Sequence, residues 1–491
     1  MEQCNWFQLN AWFQRCAVLA VVLFGVMCAH PAQALPLFAR QTGMACLACH
    51  TNYPELTHFG RMFKLQGYQL DDGKDLEVTT DDGKQLLSLP AIPNLALFIM
   101  SGYVSLGKAL PDSNIPGAKS FKDGIQFPQQ VSLLYGGKIA PHFGAFAQLT
   151  YDSLAGTFGI DNTDFRFADT VILPNKTKLT YGVSINNNPT IEDPWNTTPA
   201  FGFPYVPPEI NVPYAGLQIN AGLAYQVAGP VFYALWNEQL YAAFGFYKAA
   251  EVGSPGNPIT GAAAPYDSAS GSVPAGLNPY WRLAYEYDFD RYAFEVGTYG
   301  ARFKIYPGAG NALSGLTNNY TDVAGDFQFQ FIGEKNTATW KGTYVKENQS
   351  LDASYALGGS NATDWLSYLS TDFTYWYNRK YGATVGYLST KGSTDPLMYP
   401  SAPTLCAANS CTGIAAGTPG AFPVGVTNSA NSNPTTNAWV TELNYMAWLN
   451  VKFVLQYTHY TKFNGGTTNY DGVGRNARDN DTTYLLMWFA L

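Results

Sequence analysis

The chain is short of charge. Only 13% of its 491 residues are Asp, Glu, Lys or Arg, about half the usual quarter of a soluble domain. It has no basic stripe, and its net charge is −8. Phosphate backbones demand clustered Lys and Arg, so no nucleic-acid partner is expected. Beyond residue 34 no uninterrupted apolar run reaches 18 residues, which excludes a transmembrane helix in that part. There are only 5 His, and no Ser/His/Asp arrangement, phosphate loop or metal-hydrolase motif supports a hydrolytic enzyme. The 47 Gly and 30 Pro are near average, so the chain is neither collagen-like nor of low complexity.

Aromatic residues, by contrast, are plentiful. They make up 15% of the chain, with 33 Tyr and 11 Trp, and hydrophobic residues make up 46%. Mean hydropathy is −0.11. A disordered chain would not carry so many aromatics, and a helical membrane protein would be far more apolar. If this chain lives in a membrane, only a closed barrel remains, because lipid cannot satisfy open backbone groups.

Residues 1–34 read as a secretory signal peptide. Arg15 precedes an uncharged run from Cys16 to Ala29, and Ala32-Gln33-Ala34 is the small-residue cleavage site. The run falls short of the roughly 20 residues of a span, so the mature chain is expected to begin at Leu35. Cys4, Cys16 and Cys28 leave with the signal, and two close pairs remain, Cys46/Cys49 and Cys406/Cys411. Export leads to an oxidising compartment. Cys406 and Cys411, in the Pro/Ala/Gly/Asn-rich stretch 400–436, are therefore expected to form a loop disulfide, with two free thiols as the alternative.

Cys46-Leu47-Ala48-Cys49-His50 has the C-x-x-C-H spacing of c-type heme attachment. Two cysteines three apart present both sulfurs on one turn, matching the two vinyl groups they alkylate. The next residue, His50, then falls under the iron as proximal ligand. Chance occurrence at this composition is on the order of 0.001. A thioredoxin-like pair would need a βαβ context, and a zinc site a second ligand pair nearby; neither is present. One motif implies one covalently bound heme c. The sixth iron ligand stays open among Met62, His58, Met44 and a group supplied from elsewhere. Residues 54–65 can form a short helix with Pro54 in its first turn, and His58 and Met62, four apart, share one face of it.

From about residue 90 the pattern becomes period-two alternation over 10–15 residues. Trp281, Leu283, Tyr285, Tyr287 and Phe289 alternate with Arg282, Ala284, Glu286, Asp288 and Asp290. Phe327, Phe329 and Phe331 alternate with Asp326, Gln328 and Gln330. Val451, Phe453, Leu455 and Tyr457 do the same, with Val454 an exception on the polar side. Such segments predict 16 strands, among them 215–228 and 230–248, joined by alternately tight and long connections. Tight turns are expected at Pro141-His142, Pro174-Asn175, Gly229 and Asn378-Arg379, and long loops at 107–126, 188–214, 249–278 and 392–436. That is the asymmetry of an outer-membrane barrel, apolar outside and polar inside. The Pro-rich loop 188–214 either folds into the pore or stands as a stiff outer loop. The fold class is thus all-β, an antiparallel transmembrane barrel of about 16 strands behind a small, mainly helical heme segment. The division is 1–34 signal, 35–89 cytochrome segment, 90–491 barrel.

The order of these features resembles a known family. The residues that carry the likeness are Phe38-Ala39-Arg40-Gln41-Thr42-Gly43, the heme motif, Pro54-Glu55-Leu56, and Phe59-Gly60-Arg61-Met62-Phe63-Lys64. With the barrel behind them they look like the fused monoheme cytochrome–porins of the bacterial outer membrane. The resemblance implies electron transfer from an extracellular donor, ferrous iron among the candidates, through one heme to a periplasmic electron carrier, in contact with outer-membrane lipid. Whether this makes the protein an enzyme stays open. A conduit for a non-iron donor and a heme-containing porin with a transport or gating role are the alternatives. For ferrous iron, Glu286, Asp288, Asp326, Asp372 and Glu442 of the lumen and Glu192 and Asp193 of the loop could gather the ion, although porin lumens carry acids in any case. A heme segment of about 55 residues is too small for a comfortable core of its own. It is expected to sit at the periplasmic side or to enter and plug the barrel.

Overall fold

The structure is a computed structural model. It describes residues 37–491 except 71–74, 80–81, 83–84, 91–92, 111–120, 154–155, 209, 211–212, 214, 251–271, 308–314, 360 and 401–427. The expected signal peptide and the Cys406/Cys411 pair lie outside the described residues.

Among the described residues, sixteen long antiparallel strands close into a barrel, and a three-residue strand, Ser272–Pro274, pairs with residues 305–307 beside them. The first five are β1 (Leu95–Leu106), β2 (Asp123–Ala140), β3 (Phe143–Asp152), β4 (Thr157–Ile172) and β5 (Lys178–Asn186). The next six are β6 (Val227–Trp236), β7 (Leu240–Ala249), β8 (Asn278–Phe289), β9 (Tyr292–Pro307), β10 (Asn318–Ile332) and β11 (Asn336–Ser350). The last five are β12 (Thr363–Tyr377), β13 (Tyr381–Gly392), β14 (Thr436–Trp448), β15 (Val451–Lys462) and β16 (Thr482–Ala490). β16 closes on β1, from Thr482 opposite Leu106 to Ala490 opposite Phe98. No edge is left for another chain to pair with.

Alternation explains which way each strand faces. On β8, Leu283, Tyr285 and Tyr287 are exposed, while Arg282, Ala284 and Glu286 are buried. Val454, the exception in the pattern, faces inward and packs with Met100, Tyr484 and Leu486 of the wall and with Val206 and Ile210 of the Pro-rich loop. Connections at one end are short, as at 141–142, 290–291 and 449–450; those at the other are mostly long. Exposed aromatics including Trp236, Phe289, Tyr292, Tyr377, Tyr381 and Trp448 ring the short-turn end, where a girdle belongs at a membrane interface.

One strand is displaced from its expected position. Of the expected strand 215–228, only Val227 and Ala228 join the wall, as the start of β6; residues 215–226 do not form a wall strand. They run through the lumen, with a π-helical turn at Gln218–Gly222 and Leu217, Ile219 and Leu223 in the main buried cluster. The expected strand 230–248 is instead part of a hairpin, β6 and β7, turning at 237–239. The turn is not at Gly229 but at Asn237 and Glu238, both left-handed at φ 54° and 56°. Two such residues make the tight turn that fits the twist of a hairpin. The strand count survives because one false strand was offset by one true one.

Candidate functional site

Residues 37–70 lie inside the barrel. Three helices, α1 (Leu37–Thr42), α2 (Cys46–Cys49) and α3 (His58–Leu65), carry the segment, with His50–Asn52 pairing back on Glu55–Leu56. Glycine allows the closest approach to the wall: a Cβ on Gly144 of β3 would strike the Gly67 carbonyl. The first 36 residues are not described, and a second small hairpin, Asp75–Thr79 with Gln85–Pro90, precedes β1.

The heme motif forms one tight unit with α3. Thr57 caps α3 by accepting from the Gly60 N–H at 3.2 Å, and its hydroxyl donates to the Ala48 carbonyl at 2.6 Å. Its own N–H donates to the Cys49 carbonyl at 2.8 Å. Gly60 lies so close to Cys49 that a Cβ would overlap the Cys49 carbonyl. Thr57→Val should therefore lose about 1 kcal/mol of local stability, and Gly60→Ala should force the two turns apart. The check is retention of covalent heme after purification, which should fall further in Gly60→Ala than in Thr57→Val.

Cys46 and Cys49 are free, half-buried thiols. Burial raises both pKa values, Cys49 to about 11 with a further push from Cys46. Burial also lowers the His50 imidazole to about 4, against the pull of Glu55. At neutral pH it is uncharged and keeps a lone pair for a metal. Its Nδ1 is enclosed without a hydrogen-bond partner, and its ring lies 5.3 Å from that of Tyr53. Two unpaired sulfurs on one turn beside a neutral, under-satisfied imidazole fit a covalently attached heme.

The other expected ligands are engaged elsewhere. Met62 packs against the apolar cluster that holds Leu65 and Trp195. His58 Nδ1 lies 2.6 Å from Asp288, and its Nε2 lies 3.8 Å from Glu238. Met44 is exposed. His58, Glu286 and Asp288 bring ligand atoms within 4.8 Å of one another. Arg61, paired to both carboxylates, already supplies positive charge there.

Asp288 holds the His58 pKa above its ordinary value through their hydrogen bond, against partial burial. A raised folded value stabilises the protonated form. The contribution is full below the unfolded value of about 6.5 and fades as pH climbs through the folded one. Melting of the wild type should therefore gain, relative to His58→Ala, on going from pH 8.5 to 5.5. Equal differences at both pH values would contradict this.

The segment is tied to the wall on several sides. Arg61 binds Glu286 of β8 and donates to Gln330 of β10 at 2.9 Å and to the Leu56 carbonyl at 2.8 Å. Glu55 pairs with Lys341 of β11 at 2.7 Å. Tyr68 donates to Asp164 of β4 at 2.6 Å, and Tyr233 of β6 to the Leu65 carbonyl at 2.6 Å. The Tyr53 ring lies 5.0 Å from Trp488 of β16. Several of these wall residues, such as Tyr233, Glu286, Gln330 and Trp488, lie a few positions from a short turn or the C-terminus, so the segment fills the short-turn half of the lumen.

The Pro-rich loop completes the fill. It folds inward, and residues 188–198 are buried. Trp195 donates to Glu286 at 2.8 Å, and Arg282 reaches Asp193 at 3.1 Å and Asp326 at 2.8 Å. Loop and plug also grip each other. Lys64 donates to the Asp193 carbonyl at 2.6 Å and to Asn196 at 2.8 Å, and Asn196 donates to the Pro54 carbonyl at 2.8 Å. Of the expected acids, Glu286, Asp326 and Asp193 are thus parts of this scaffold. Glu192 accepts from Tyr280. Asp372 and Glu442 line a cavity with Tyr53, Tyr205 and Lys341. Sequence reasoning missed the tethers of Arg61, Lys64 and Glu55; the one available signal was two cations three residues apart on a short helix.

The closed ladder, the apolar outer face and the asymmetric loops define a porin-type β-barrel of the bacterial outer membrane. No family model and no curated protein matches the chain. Among solved structures it is similar to the outer membrane channel DcaP of Acinetobacter baumannii, with 10% identity over 84% of this chain and 99% of that one, at a TM-score of 0.44. It is also similar to OmpF of Salmonella typhi, with 10% identity over 85% and 100%, at a TM-score of 0.42. An anion-selective porin from Comamonas acidovorans shares 11% identity over 81% and 98%, at a TM-score of 0.41.

Proposed function

We propose that this protein is an electron conduit of the outer membrane. A donor on the long-loop side gives up one electron, and a soluble carrier on the short-turn side receives it. The observation that carries this reading is the Cys46–His50 turn, with two free thiols and a neutral imidazole, fixed inside a lumen that its own segment fills. It is also what the resemblance to cytochrome–porin fusions implies.

Cys46 and Cys49 would hold one heme c by thioether bonds, and His50 would ligate its iron. When bound, the heme supplies a one-electron iron couple. Arg61, Lys64 and Glu55 keep the carrying segment docked, and with the inward loop they exclude bulk water. Tyr53, whose ring faces His50, joins hydroxyls with Tyr205 of the loop at 3.0 Å. The net charge of −8 draws cations toward the lumen, which favours ferrous iron as the first donor to test.

The test is an absorption spectrum of protein exported alongside a cytochrome maturation system. One heme per chain, reduced by Fe²⁺ at the working pH, is expected. Heme that Fe²⁺ leaves oxidised but a reduced sulfur or organic donor reduces would replace iron as the donor. A chain without covalent heme would overturn the reading.

A further inference from the structure

Several buried acids elsewhere in the lumen pair with cations. Glu286 pairs with Arg61, Asp164 with Arg166, Asp326 with Arg282 and Glu55 with Lys341. Asp322 and Glu347 do not. They face each other across β10 and β11, so their Cβ atoms stand about 5 Å apart. Asp322 is 1% exposed and Glu347 0%. Neither pairs with Lys, Arg or His among the described residues, and each meets only the other's charge. The backbone N–H of Ile219 lies toward the Asp322 carboxylate, yet neither oxygen completes a hydrogen bond within normal geometry.

The surrounding groups make the pattern more specific. Glu347 accepts from the Gln218 N–H at 2.7 Å and from Gln349 Nε2 at 2.7 Å. Both amides keep a buried oxygen without a donor, Gln218 Oε1 and Gln349 Oε1. Two facing carboxylates thus lie beside the Gln349 side chain, with buried oxygens left without a donor. Buried oxygens of this kind are ordinarily satisfied, and two facing anions without a counter-charge are costly.

We propose that Asp322 and Glu347, with the side-chain oxygen of Gln349, form a binding site for one hard divalent cation in the long-loop half of the lumen. The donor set is all oxygen, which suits Ca²⁺, Mg²⁺ or Mn²⁺ rather than a soft metal. The bound ion neutralises the facing acids and fastens the π-helical turn Gln218–Gly222 of the inward loop to the wall. This site is independent of the heme reading.

Mn²⁺ titration of the full-length barrel in detergent, followed by electron paramagnetic resonance, tests it. One bound Mn²⁺ per chain is expected, displaced by Ca²⁺ and weakened at least tenfold in Asp322→Asn and in Glu347→Gln. Ca²⁺ should raise the melting temperature of the wild type but not of the double variant D322N/E347Q. In chelator the double variant should melt no lower than the wild type, which shows that it folds. Equal Mn²⁺ binding in wild type and double variant would overturn the proposal. So would a melting temperature of the wild type that ignores Ca²⁺, the result if the two acids simply share a proton.

Discussion

Replacing Cys46 and Cys49 together with alanine should give a barrel of normal strand content that carries no covalent heme and passes no electrons. The expected effect is complete rather than partial, because both thioether positions are lost. The fold should survive. Both thiols are half-buried and unpaired, and neither belongs to a core cluster. The barrel is held by its closed hydrogen-bonded ladder. Denaturing gels stained for heme peroxidase activity, beside circular dichroism of the same samples, separate the two outcomes. A double variant that still retains heme through denaturation would contradict the attachment. A variant that fails to fold would instead assign the turn a structural role.

Arg61→Ala should have the largest effect on the plug. The guanidinium is 2% exposed and joins Glu286, Gln330 and the Leu56 carbonyl. Removing one partner of a buried pair leaves an uncompensated charge and costs about 3–5 kcal/mol. That loss falls on docking of the segment, since the wall strands do not depend on it. Glu286 would keep Trp195 as a donor, and Arg282 would still hold the inward loop, so the lumen should open in part. Planar-bilayer recordings should show wild-type conductance far below that of an open 16-stranded porin and a clear rise in Arg61→Ala. Arg61→Lys should fall between, since an ammonium keeps the charge but not the planar fork. Unchanged conductance in Arg61→Ala would place the seal elsewhere.

Period-two alternation made the wall legible in the sequence, because lipid and lumen impose opposite chemistry on successive residues. It failed at 215–228 for the same reason. Leu217, Ile219 and Leu223 are apolar yet face the lumen, where the inward loop forms a second apolar layer that no single-strand pattern reveals. Gly229-Pro230 suggested a turn, but Gly229 is there because a Cβ would strike the Phe246 backbone of the neighbouring strand. Val454 hinted at the inward loop, since an apolar residue of lumen parity needs an apolar partner. The C-x-x-C-H turn was visible in the sequence because its spacing is local. Its setting was not, because the tethers to Glu286, Lys341 and Asn196 join residues more than 130 positions apart. Nor was the opposition of Asp322 and Glu347, which depends on strand register.

The most direct test of the conduit is vectorial. Vesicles containing the heme-loaded protein would enclose an oxidised soluble cytochrome and a small dye, with the electron donor added outside only. The account predicts reduction of the enclosed cytochrome while the dye stays trapped, and neither signal in vesicles of the Cys46→Ala/Cys49→Ala variant. Reduction that appears only as the dye escapes, or that is equal in the variant, would contradict it.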